Sequence, residues 1–179
     1  MVLVHLAEGF EEIEALTVVD LLRRVDIKVK TVSVTGEKIV KGAHGIGVEA
    51  DCLFEEVDYD QCQMIVLPGG LPGTYGLRDH KGLNEKILQF NEEGKVLAAI
   101  CAAPMVLGGL GLLKGKKATM YTGMEEYLNG AVAMEDKVVT DGNIITSKGP
   151  GTAMLFALEI VRFIKGETIM DNLRKDLLL

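Results

Sequence analysis

Apolar positions along the chain fall into two rhythms, and their alternation predicts the architecture. Short uncharged or alternating runs at residues 2–6, 27–34, 63–67 and 96–100 predict strands, and a shorter strand is expected at 117–121. Apolar residues at three- and four-residue spacing predict helices over 11–25, 82–93, 103–110 and 152–164. The first of these carries acidic residues in its opening turn and Arg23 and Arg24 in its last, each sign suited to the helix dipole. Gly94 and Gly166 stop the second and the last. A small hairpin is expected where 39–40 meets 46–48, inside the Gly-rich stretch 37–51. Asp141-Gly142 is a two-residue turn joining 138–141 to 143–146. Strands that alternate with helices predict an α/β fold, a mostly parallel sheet with helices on both faces. No linker or repeat interrupts residues 1–179, so a single domain is expected. The tail, 170–179, ends in three leucines and reads as either a docked helix or an interface element.

One strand–helix junction stands apart. Val96-Leu97-Ala98-Ala99-Ile100 meets Cys101, flanked by small residues, and Pro104 opens the helical pattern three places on. A strand that turns sharply into a helix at a nucleophilic side chain is a nucleophile elbow, and small neighbours suit its strained turn. Pro104 fits a first helical turn, where its missing N–H costs nothing. Cys101 at a helix N-terminus is expected to be the low-pKa thiol of the chain. The competing reading is an inert core cysteine.

Composition narrows the function classes. Apolar residues make up 48% of the 179 and charged residues 25%, as in a folded protein with a sizeable core. The net charge of −7, without a basic stripe, argues against nucleic acid as the main partner. No apolar run approaches the length of a membrane span. The opening residues lack the basic region and cleavage site of a signal peptide. Three cysteines, Cys52, Cys62 and Cys101, then read as reduced thiols of a cytoplasmic protein. None is in CxxC spacing and His5, His44 and His80 are scattered, so no metal and no cofactor are expected.

Three loops should converge where doubly wound sheets place their sites, at the carboxyl ends of the strands. They are Glu8-Gly9-Phe10-Glu11-Glu12-Ile13-Glu14, Pro68-Gly69-Gly70 and the elbow. At helical spacing Glu14 shares a face with Val18 and Leu21. It is either a solvated helix charge or a desolvated carboxyl that keeps its proton and hydrogen-bonds a sulfur. Glu11 and Glu12 read as partners of the helix dipole. The N–H groups of Gly69 and Gly70, with that of Ala102, could bind an oxyanion, or the glycines could mark an ordinary turn. Gly149-Pro150-Gly151-Thr152 opens a helix after a strand in the same way. No phosphate-binding glycine motif is present.

These motifs together resemble the ThiJ/PfpI superfamily, in its DJ-one branch. Glu8–Glu14, Val66-Leu67-Pro68-Gly69-Gly70, Ala98-Ala99-Ile100-Cys101-Ala102-Ala103-Pro104 and Ser147-Lys148-Gly149-Pro150-Gly151-Thr152 follow the family's order and spacing. The resemblance implies a flavodoxin-like, doubly wound sandwich, usually a homodimer. It implies that Cys101 is the oxidisable nucleophile, Glu14 its protonated partner, and Gly70 and Ala102 backbone donors. It further implies either cofactor-free glyoxalase or deglycase chemistry on a small aldehyde, methylglyoxal or its adducts, or a redox or chaperone role in which an oxidant modifies Cys101. Three positions depart from the pattern. Ala102 stands where the protease-like branch has a histidine, which argues against peptidase activity. Tyr121 stands where the DJ-one branch often has histidine, and His44 where some members use an arginine to bind oxidised sulfur.

Overall fold

The computed structural model describes residues 1–179, and it builds the expected α/β arrangement around one seven-stranded sheet. In chain order the elements are β1 (Val2–Leu6), α1 (Glu12–Arg24), β2 (Val29–Ser33), β3 (Ile39–Lys41), β4 (Gly47–Glu49), β5 (Cys52–Leu53) and β6 (Met64–Leu67). There follow α2 (Gly73–Asp79), α3 (Lys81–Glu92), β7 (Val96–Ile100), α4 (Pro104–Gly109), β8 (Lys117–Ala118), β9 (Val132–Ala133), β10 (Val138–Asp141), β11 (Ile144–Ser147), α5 (Ala153–Lys165) and α6 (Glu167–Asp176). The sheet runs β10-β11-β7-β6-β1-β2-β5. Every pairing in it is parallel except β10 with β11, the hairpin closed by Asp141-Gly142.

The strand alternation sorts the core into two layers. Val2, Val4, Leu6, Met64, Val66, Ala98 and Ile100 point to one face, where α1 and α5 cover them with Val18, Leu22, Phe156 and Ile160. Leu3, Ile65, Leu67, Leu97 and Ala99 point to the other, under Leu77, Leu83, Ile87, Phe90 and Leu107. Strands buried on both faces have no room for solvated side chains, which is why β6 and β7 read as uninterrupted apolar runs and β1 as one broken only by the buried His5. The chain leaves β1 for β2 on one side and reaches β6 and β7 on the other. The carboxyl ends of β1 and β6 therefore flank a topological switch point, with that of β7 next to it.

One expectation changes, one helix is added, and the tail takes one of its two expected forms. The segment 117–121 is not a five-residue strand of the main sheet. Only Lys117–Ala118 is strand, paired with β9 in a separate two-stranded sheet, and Tyr121 lies beyond it in a turn. The α2 helix was hidden in sequence by its glycines and the preceding Leu71-Pro72-Gly73. The tail folds as α6, which packs on α5 through buried Leu173 and leaves Leu178 and Leu179 exposed. No helix is long and apolar enough to cross a membrane.

Candidate functional site

The elbow forms as its sequence suggests. Cys101 follows β7 at φ +65°, the left-handed region that non-glycine residues rarely enter. Its backbone is held from both sides. The Cys101 N–H donates to Ser147 O at 2.9 Å, and the Tyr121 N–H donates to Cys101 O at 2.8 Å. The strained turn is thus fixed by the end of β11 and by the segment after β8, both distant in sequence.

Glu14 is not a solvated helix charge. It is fully buried on the inward face of α1, and Oε2 accepts the Gly69 N–H at 2.7 Å while Oε1 has no hydrogen-bond partner. The Glu11 N–H donates to Gly69 O at 2.9 Å, so the loop after β1 and the loop after β6 are stitched together through one residue, Gly69. Gly69 is required by close approach. A Cβ there would lie 2.6 Å from Cys101 Cβ and 2.7 Å from Glu14 Oε2. Its N–H is committed to Glu14 and is not an oxyanion donor, which corrects one of the three donors expected from sequence. The amides of Gly70 and Ala102 do reach the Cys101 sulfur.

Burial pushes the Glu14 carboxyl up to about 7, with the Glu11 charge acting in the same direction and the bonds from Gly69 and Cys101 opposing it. Burial also pushes the Cys101 thiol up to about 12, and the Glu14 charge and its hydrogen bond add to that effect. The Gly70 and Ala102 amides pull the other way. This corrects the expectation of a low-pKa thiol. The reason is burial first and the contacting Glu14 second, which together outweigh the Gly70 and Ala102 amides. Cys52 and Cys62 are also raised, by burial first. Cys101 differs from them in being only partly buried. The carboxyl and the thiol each shift the other, so they titrate as a coupled pair.

Gly149 lies across the sulfur, where a Cβ would sit 4.0 Å from Sγ and 3.4 Å from the Tyr121 ring. Tyr121 is half exposed, and with Thr122, Lys148, Gly149, Pro150, Gly151 and Thr152 it lines a shallow cleft beside the elbow. Ser147 and Thr152 share a hydrogen bond at 2.7 Å, and Thr152 Oγ1 accepts the Gly149 N–H at 3.0 Å, which holds this wall in shape. His44 is occupied elsewhere. Its amide donates to Glu12 Oε1 at 2.8 Å, and Nδ1 lies 2.8 Å from Glu12 Oε2 and 3.6 Å from Glu11 Oε2. The Glu12 hydrogen bond, with the two carboxylate charges, raises His44 above its ordinary value. Burial would raise Glu12, but the bonds from His44 outweigh it and leave the carboxyl below its usual range. Sequence spacing missed this cluster because its members are 32 residues apart.

The arrangement is therefore a partly buried thiol on a strained elbow, a buried carboxyl coupled to it, and two amides that favour its ionised form. The chain as a whole is similar to known proteins. A family model described as DJ-1/PfpI family matches residues 1–163. The chain is 39% identical over 181 residues to Protein DJ-1 homolog A of Arabidopsis thaliana, covering 99% of this chain but 46% of the plant protein, so it spans about half that relative's length. It is 33% identical over 165 residues to Deglycase PfpI of Pyrococcus furiosus, covering 89% of this chain and 96% of that protein. The structure of oxidized Toxoplasma gondii DJ-1 matches with a TM-score of 0.95 at 35% identity, covering 99% of this chain and 97% of that one. The chain belongs to the DJ-1/PfpI family.

Proposed function

We propose that the protein is a cytoplasmic stress protein whose Cys101–Glu14 pair performs cofactor-free glyoxalase or deglycase chemistry on methylglyoxal or its adducts. The observation that carries this reading is Glu14, buried against the sulfur and held near 7, where a carboxyl both takes and gives a proton at neutral pH. As the sulfur attacks the aldehyde carbon, Glu14 accepts the thiol proton and passes it to the carbonyl oxygen, which becomes the hydroxyl of a hemithioacetal and leaves Glu14 free to act as a base. Glu14 then takes the proton from that carbon and delivers it to the neighbouring carbon, while the hydroxyl proton passes to the neighbouring carbonyl oxygen, which converts the hemithioacetal to a thioester of lactate. Water cleaves the thioester, releasing lactate and the thiol. Gly70 and Ala102 offer N–H groups where negative charge develops. The relative named a deglycase supports the substrate class.

A second reading has its own support. Cys101 is the only thiol that is not fully buried, and a related structure is of an oxidized protein. In that reading an oxidant carries the sulfur to sulfenic and sulfinic acid, with no turnover. Steady-state methylglyoxal consumption by the purified chain separates the two. Multiple turnovers with release of lactate support the enzyme. Stoichiometric oxidation of Cys101 by mass spectrometry without turnover overturns it in favour of the sensor.

A homodimer fits the surface. Ile13 and Leu16 on α1 and Ile39 and Ile46 on the β3–β4 hairpin are all exposed, and Ala43 N–H to Phe10 O binds the hairpin against the start of that helix. Light scattering at micromolar concentration is expected to give twice the mass of the chain. A pair of charges, Ile13→Glu with Ile46→Lys, is expected to shift it to monomer. A monomeric wild type removes the claim.

A further inference from the structure

We propose that Glu11, Glu12 and His44 form a binding site for a divalent cation of the zinc class, separate from the Cys101 site. The three donors come from the first turn of α1 and the tip of the β3–β4 hairpin, and their ligand atoms lie within 4.8 Å of one another. Each carboxylate has one oxygen already held by backbone. Glu12 Oε1 accepts the His44 N–H at 2.8 Å and Glu11 Oε1 accepts the Ile13 N–H at 3.4 Å. That leaves Oε2 of each facing His44 Nδ1, at 2.8 and 3.6 Å. Zinc–oxygen and zinc–nitrogen bonds of about 2.0–2.2 Å at tetrahedral angles set donors roughly 3.3 Å apart, between those two separations. Gly42 makes the cluster possible, because a Cβ there would overlap the Glu12 carboxylate.

Electrostatics points to a cation independently of the spacing. The Glu11 and Glu12 side chains are only 11% and 6% exposed, yet neither pairs with a lysine or arginine. Two nearly buried carboxylates therefore face a single imidazole, and even the charged ring leaves one negative charge uncompensated. A divalent ion with both carboxylates and a neutral imidazole is neutral overall, and the proton between Nδ1 and Oε2 leaves to solvent. Mixed nitrogen and oxygen donors favour zinc, cobalt or nickel over the alkaline earths, which prefer all-oxygen shells. The His44 ring is 68% exposed, so the remaining coordination positions open to water.

The test titrates the full-length, reduced chain carrying Cys101→Ser, so that no accessible thiol competes, with Zn2+ against a chromophoric chelator and with Co2+ by visible absorption. One equivalent is expected to bind, with a Co2+ spectrum free of thiolate charge transfer. His44→Ala and, separately, Glu11→Gln are each expected to weaken Zn2+ by roughly tenfold or more, the scale seen when the support of a metal site is disturbed. Glu11→Gln keeps an oxygen for Ile13 N–H, so it reports on ligation if His44→Ala loosens the hairpin. Unchanged affinity in both variants places the ion elsewhere and overturns the proposal, as does the absence of binding at millimolar Zn2+.

Discussion

Cys101→Ser is expected to abolish methylglyoxal consumption, and Glu14→Gln to lower it by about 10²–10⁴-fold while making the sulfur easier to ionise. The two halves of the second outcome have one cause. Gln at position 14 can keep its carbonyl oxygen on the Gly69 N–H, where Oε2 sits at 2.7 Å. Its amide then occupies the place of Oε1, which has no donor of its own to satisfy it. Beside the sulfur a charged carboxylate has been exchanged for a neutral N–H donor. The Glu14 charge and its hydrogen bond both help to push the Cys101 thiol up to about 12, so their removal lowers it. A hydrogen bond to a charged group is worth about 1.5–3 kcal/mol, which corresponds to roughly a ten- to hundredfold larger thiolate fraction. The amide cannot accept or return a proton, so the hemithioacetal forms and stalls. Glu14→Asp keeps the proton but pulls it back by one methylene from both Gly69 and the sulfur, and turnover falls without the gain in thiolate. Thiolate absorbance titrations of wild type, Gln and Asp proteins, with lactate release measured alongside, check all three. Superimposable titrations with unchanged turnover remove Glu14 from the site.

Acid is expected to destabilise the fold through His5, at about 1.4 kcal/mol for each pH unit once the pH is well below 6.5. His5 is fully buried on β1, with Nε2 bonded to the Tyr59 hydroxyl at 2.9 Å and Nδ1 without a partner. Burial, and secondarily the charge of His80, depress it to about 3. Between these values the unfolded chain binds a proton that the native chain refuses. Stability is therefore present above 6.5 and lost as the pH falls toward 3, by several kcal/mol out of a typical total of about 5–15 kcal/mol. Glu14 acts with the opposite sign. Its raised carboxyl holds a proton in the native state from the ordinary 4.5 up to about 7, so its contribution is lost as pH rises through that window. The His5 effect stands alone of the two below 4.5. The measurement is urea unfolding from pH 7 to 3.5 for wild type and for His5→Leu with Tyr59→Phe, which leaves neither group orphaned. The variant's stability is expected to fall less steeply with acid. Parallel curves show that His5 does not titrate on unfolding.

Local pattern was enough for much of this molecule. The uncharged run of β1, the continuous apolar runs of β6 and β7, the apolar face of α5 and the Asp141-Gly142 turn each depend on neighbours within a few residues, and such neighbours are written in order along the chain. The elbow was legible for the same reason: a strand, a cysteine among alanines, and Pro104 define it within nine positions. What required tertiary structure was the environment of every polar group. A carboxyl at Glu14 has the same helical phase whether or not the β6 loop covers it. Only the loop's approach, close enough to demand glycine at 69, strips its water and moves it to about 7. The direction of the Cys101 shift reversed because a helix N-terminus was visible in sequence, whereas the burial of the sulfur and the carboxyl in contact with it were not. The commitment of the Gly69 N–H to Glu14 and the meeting of His44 with Glu11 and Glu12 were likewise decided by contacts across 55 and 32 residues. Sequence sets which faces are apolar, because periodicity is local. Which charges those faces bury together is set by the packing of distant elements, and that is where proton affinities are made.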